Sequence, residues 1–166
     1  LSGVFCFYRF GFEYETILMF VITMILLAIT MIDFDTMIIP DGLNIAMFLV
    51  CLVLMFVRQM SLVDSIIGMF CISLPMFLLN LVIPDSFGGG DIKLMFASGI
   101  ALGWKYSLLA AFIGVLIAGI YCIYLLLTKK VDKKGHIAFG PYLSIGIFIA
   151  LCYGYEIVSW YLNLLM

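Results

Sequence analysis

A polytopic bundle of membrane-crossing α-helices, an all-α fold, follows from three features of the 166-residue chain. The composition is 66% hydrophobic and only 11% charged, whereas a water-soluble domain clothes its surface with about 25% charged residues. The mean hydropathy is +1.29. The apolar residues come in long uncharged runs rather than in alternation, which is the pattern of lipid-embedded helices and not of a membrane β-barrel. The same features exclude other classes. A net charge of −2 offers no basic surface to phosphates, so no nucleic-acid partner is expected. The five cysteines (Cys6, Cys51, Cys71, Cys122 and Cys152) are odd in number, lie in or beside apolar runs and form no CxxC pair, which argues against a disulfide-stapled secreted domain.

Crossing about 30 Å of hydrocarbon takes roughly 20 helical residues. The uncharged runs are 16–32, 42–57, 65–84, 94–104, 106–128 and 135–155, so about six spanning helices are expected within 13–166. The stretch 1–12 is apolar and aromatic, lacks an initial Met and carries Arg9; it reads as the tail of a preceding helix or a truncated N-terminal region, and without a basic n-region or small-residue cleavage site it is no signal peptide. The first helix ends at Asp33. The second follows Pro40-Asp41, where Asp is a favoured N-cap, and ends at Arg58. The third runs to Pro84. The fourth run is too short to span, so that helix is expected to start nearer Asp91 and to continue past Lys105. The fifth ends at a basic cluster, and the sixth is opened by Phe139-Gly140-Pro141-Tyr142. Trp104 and Trp160 suit interfacial anchoring. Gly99-x-x-x-Gly103 and Gly114-x-x-x-x-Gly119 suit close helix packing. His136 has no second His or Cys at ligand spacing, so no metal site is expected, and Glu156 is an interfacial charge without an assigned role.

Basic residues are retained on the cytoplasmic side. Lys129, Lys130, Lys133 and Lys134 therefore place the loop between the fifth and sixth helices in the cytoplasm. Alternating back along the chain puts Lys105 outside, Asp91 and Lys93 inside, Arg58 outside, 33–41 inside and Arg9 outside. Asp33, at the end of one helix, and Asp91, at the start of another, thus arrive at the same membrane face.

Each aspartate has a plain structural reading. Asp33 and Asp35 stop a helix in the headgroup region, Asp41 caps the next one, Asp91 caps the helix after Gly88-Gly89-Gly90, and Lys93 snorkels to the interface. Against that reading stands the cost of an unpaired carboxylate near hydrocarbon, about 2.5–3.5 kcal/mol, which makes such residues pointers to function. The three glycines leave the backbone bare enough for another chain to approach, and without a following Gly-Lys-Ser/Thr they form no phosphate loop. Two carboxylates meeting at one face match the needs of an aspartyl protease, in which a pair shares one proton and acts as base and acid.

Asp33 with Pro40-Asp41, then Gly88-Gly89-Gly90-Asp91-Ile92-Lys93, then Phe139-Gly140-Pro141-Tyr142, in that order and in helical settings, resembles the type IV prepilin peptidases, membrane aspartyl proteases of the GxGD kind. The resemblance covers nearly the whole chain and implies that 13–166 is a six-helix transmembrane peptidase core. It implies that Asp33 and Asp91 are the catalytic pair. The substrates it implies are precursors of type IV pilins and pilin-like proteins, whose basic leader is cut just before an apolar helix at the cytoplasmic face of the cell membrane. Such a junction must be extended when it is cut, and Gly88, Gly89 and Gly90 leave room for it as substrate-binding positions. The archaeal preflagellin peptidases share the resemblance. A proton- or ion-coupled transporter would also use paired carboxylates, but its site belongs near the midplane and between repeats, and no repeat is visible. Family members that methylate the new amino terminus are associated with a segment holding two CxxC pairs, which are absent from this sequence. No metal, no other cofactor and no methyl transfer are therefore expected, and the oligomeric state is left open.

Overall fold

The computed structural model describes residues 14–84, 86–128 and 138–165. The 1–12 tail with Cys6 and Arg9, Asp85, the four-lysine loop and His136 lie outside them, and with that loop the basis of the expected orientation. The described residues form five helices and no strand: α1 (Tyr14–Thr36), α2 (Asp41–Val57), α3 (Leu62–Val82), α4 (Gly89–Leu127) and α5 (Gly140–Leu165). Four of them, α1, α3, α4 and α5, are long and apolar enough to cross a membrane, while α2 is a shorter apolar helix of 17 residues. The chain is a multi-pass membrane protein.

Helix α4 is two helices in one. At Gly103 the backbone takes φ 67 and ψ 177, a combination open essentially to glycine alone. The break divides α4 into a short first arm that carries Asp91 and a longer second arm, so the number of straight segments agrees with the sequence reading. One detail differs. The fourth helix starts near Asp91, at Gly89, but it breaks at Gly103 instead of continuing straight past Lys105.

The first arm can be short because it lies inside the bundle. Leu94, Met95, Ala97, Ser98, Ile100, Ala101 and Leu102 are all buried, and an arm apolar over most of its surface needs protein over most of it. Helices α2, α3 and α5 all pack on α4, while α1 packs on α2 and α5. One close approach is between α3 and the arm. A Cβ at Gly68 would run into the Gly99 carbonyl oxygen and the Gly103 backbone, and a Cβ at Gly99 into the Gly68 carbonyl. The Gly99-x-x-x-Gly103 spacing thus marks a true contact, as small residues do where helices associate in lipid. The second glycine pair splits: Gly114 lies against the Leu143 backbone, and Gly119 faces open space.

Two ion pairs tie the helices together at opposite ends. Arg58 at the end of α2 donates to Glu15 at the start of α1, with Nε at 2.8 Å from Oε1. Lys93 on α4 reaches Asp41 Oδ1 at 2.6 Å. This second pair goes with one correction to the sequence reading, which made Asp41 the cap of α2. Asp41 is the first residue of α2, with Pro40 at the N-cap and no side-chain cap bond, and its carboxylate is engaged by Lys93. A residue already inside the first turn favours the helix dipole without turning back to cap it.

Gly103→Ala should cost about 1–3 kcal/mol, since alanine cannot adopt this backbone without strain, and should lower the thermal midpoint of the purified protein in detergent. Gly119→Ala should leave the midpoint unchanged or raise it. Equal midpoints for Gly103→Ala and wild type would remove the break from the account of the fold.

Candidate active site

The buried stripe of α1 runs Met19, Ile22, Leu26, Ile29 and Asp33, a spacing of three and four residues that keeps one face toward the core. The last position of that stripe is a carboxylate, so the pattern that packs α1 also carries Asp33 inward, where it is 4% exposed. Asp91 stands in the first turn of α4 at 6% exposure. Both line one cleft of about 550 Å³.

Each carboxylate has a distinct setting. Asp33 Oδ2 accepts the backbone N–H of Gly140 at 3.0 Å, so the N-terminus of α5, the positive end of its dipole, is aimed at it. A Cβ on residue 140 would lie 2.6 Å from that oxygen and 3.0 Å from Cγ, so only glycine allows this approach. Pro141 follows as the helix begins, where its missing N–H and fixed φ are suited. Asp91 donates its own N–H to the Gly88 carbonyl at 3.1 Å, while its Oδ1 is buried with no hydrogen-bond partner among the described residues.

The other walls come from four places in the chain. Thr36, Met37 and Ile38 line the cleft at the exit of α1, Asn80 at the end of α3, Phe87, Gly88 and Gly89 before Asp91, and Ala138 and Phe139 before α5. The rings of Phe87 and Phe139 meet edge to face, with centroids 5.7 Å apart. Met37 turns the chain out of α1 with φ 54, a conformation that costs a side chain of this size energy.

The sequence-derived site residues divide. Asp33, Asp91, Gly88 and Gly89 come together on the cleft. Gly90 does not line it. A Cβ there would lie 2.7 Å from the Ile39 Cβ, and the Gly90 carbonyl accepts the Asn44 side-chain amide at 3.3 Å, so Gly90 packs the loop after α1 against the start of α4. Sequence reasoning missed Asn44, Asn80 and the Gly140 amide. The two asparagines carried a signal, since each is an amide within an apolar helix; the amide of Gly140 carried none beyond its motif.

Two buried carboxyls on one cleft can exchange protons with a bound water and with the groups of a bound chain. Among the described residues, no group of three or more His, Cys, Asp or Glu side chains is placed to hold a metal ion.

Comparison with known proteins gives the chain a family. The sequence model of the type IV leader peptidase family matches residues 20–123. A protein of Aeromonas salmonicida named prepilin leader peptidase/N-methyltransferase is 32% identical over 157 residues, which cover 91% of this chain and 54% of that protein. Proteins of the same name from Bacillus subtilis and Pseudomonas aeruginosa are 31% and 30% identical, covering 94% of this chain and 63% and 56% of their own lengths. The chain thus spans about half the length of these curated relatives. No solved structure matches it.

Burial with an unpartnered carboxylate oxygen makes Asp91 costly to the fold. Asp91→Asn should therefore raise the thermal midpoint in detergent at neutral pH. A lowered midpoint would show that the carboxylate has a stabilising partner.

Proposed function

We propose, from the premise that the chain belongs to the type IV leader peptidase family, that it is a membrane aspartyl endopeptidase in which Asp33 and Asp91 form the catalytic pair. The observation that carries the reading is the convergence of these two carboxylates, from segments far apart in sequence, on one cleft in a bundle with few other charges. The proposed substrates are precursors of type IV pilins and pilin-like proteins. The proposal covers the peptidase activity alone and does not carry over the transferase activity in the relatives' name.

Hydrolysis follows from a pair holding one proton between them. The ionised carboxylate takes a proton from a bound water as the water oxygen bonds to the carbonyl carbon. The protonated partner gives its proton to the carbonyl oxygen, which yields a tetrahedral diol. When the diol collapses, the C–N bond breaks, the amine nitrogen receives the proton taken from water, and a diol hydroxyl returns its proton to the pair. One peptide bond and one water become a carboxylic acid and an amine, and the pair ends as it began.

The substrate supports the location. An apolar helix partitions into the bilayer while its basic leader stays in the cytoplasm, which presents the junction at the depth where α1 ends and α4 begins. The proposed face is accordingly cytoplasmic.

Purified protein in detergent, without an ion gradient, should shorten a prepilin by its leader; a transporter would not. Asp33→Asn and Asp91→Asn should each abolish cleavage while the protein still purifies folded, and substantial activity in either would overturn the pair. The rate should follow a bell-shaped pH profile, because a second proton removes the base and loss of the shared proton removes the acid; a profile flat on either side would contradict that chemistry. Gly140→Ala should reduce cleavage by about tenfold or more, because its Cβ displaces Asp33 and misplaced catalytic groups lose rate steeply. Wild-type rates in this variant would show that the Asp33 position tolerates the shift.

A further inference from the structure

An extended peptide entering the cleft brings one N–H and one C=O per residue, and each must replace the water it loses. Many peptide-binding proteins meet this demand with a free strand edge. Every element among the described residues here is a helix, so side chains that both donate and accept become the natural partners.

Two neutral side chains lining the cleft can do both, Thr36 and Asn80. The hydroxyl of Thr36 is committed, donating to the carbonyl of Ile32 at 2.8 Å and reaching that of Ile38 at 3.2 Å. Asn80 is nearly free. Its Oδ1 accepts the Ser86 hydroxyl at 3.5 Å, the outer limit for such a bond, and its amide nitrogen has no partner among the described residues.

Its setting offers little other reason for an amide. From residue 66 to residue 82 the other hydroxyl or amide side chain of α3 is Ser73, which is satisfied by the Met69 carbonyl. Helix α3 packs chiefly on α4, backbone to backbone at Gly68 and Gly99. Asn80 thus stands on the same cleft as Asp91, on a wall that α1 does not supply.

We infer that Asn80 is a substrate-binding residue: its carboxamide pairs with the N–H and C=O of a peptide unit beside the scissile bond and holds the extended segment against Asp33 and Asp91. This rests on the peptidase reading above.

The test uses the full chain in detergent with a synthetic prepilin peptide of leader plus apolar helix. Asn80→Ala should raise KM about three- to tenfold, the worth of one net hydrogen bond, with kcat changed less than about threefold. Asn80→Asp keeps the shape but loses the donor; it should raise KM likewise, and it carries the test if the alanine variant fails to fold. Ser86→Ala should stay within about twofold of wild type. Replacing single peptide N–H groups near the scissile bond by ester oxygens should reveal one position at which wild type loses affinity and Asn80→Ala loses none further. Wild-type cleavage together with Asn80 variants within about twofold in kcat/KM would overturn the inference, as would a Ser86→Ala variant that reproduces the Asn80→Ala loss or an ester effect that is the same in both enzymes. A wild type that cleaves no prepilin would overturn the peptidase reading and this inference with it.

Discussion

Two carboxylates held on one cleft inside a helix bundle in hydrocarbon are the constraint around which this protein is built. Each costs energy to bury, and two ionised at once would repel. Among the described residues, directed backbone groups offset this, and no cation touches the pair. The N-terminus of α5 donates the Gly140 amide to Asp33 at 3.0 Å, and Asp91 sits in the first turn of α4, where a helix favours negative charge. Lys93, two residues from Asp91 in sequence, is engaged by Asp41 at 2.6 Å. A cation directly on the pair would hold both members ionised, whereas helix termini lower the cost of burial and still allow a proton to be shared.

That arrangement explains why α4 is broken. Delivering Asp91 into the bundle requires a helix that starts inside it, and such a helix is buried over most of its surface, as Leu94, Met95, Ser98 and Leu102 show. It cannot also be a straight lipid-facing span. The break at Gly103 resolves the conflict: the first arm stays within the protein and the second crosses the membrane. Gly68 and Gly99 then let α3 close on the arm at backbone distance, a contact that fixes the arm, and Asp91 with it, by shape alone where hydrocarbon surroundings supply no hydrophobic force.

The sequence made the architecture and the pair legible for physical reasons that differ. Long uncharged runs are a strong signal because bilayer thickness sets their length, and they marked every helix described, including the short one carrying Asp91. Asp33 was legible as a charge directly after an apolar run, and Asp91 as a charge after three glycines. Asp41 was misread because its place before a helix invites capping, while its partner, Lys93, is brought near by packing alone. The roles of Gly140 and Gly90 depend on what lies opposite them, Asp33 in one case and Ile39 in the other, and no local pattern records an opposing residue.

The glycines of the Gly88-Gly89-Gly90-Asp91 turn are accordingly not interchangeable. Gly88 lies where a Cβ would approach Asp91 Oδ2 at 2.9 Å, Gly89 has open space around it, and Gly90 is pressed against Ile39. The first guards the position of a carboxylate, the second leaves room on the cleft, and the third allows the exit of α1 to pack on the start of α4. Because that exit also carries Thr36, Met37 and Ile38 into the cleft wall, closing the Gly90 contact joins the segment bearing Asp33 to the segment bearing Asp91. One run of small residues thus serves a carboxylate, a cleft and a helix junction, and the spacing of the two aspartates is fixed by the junction.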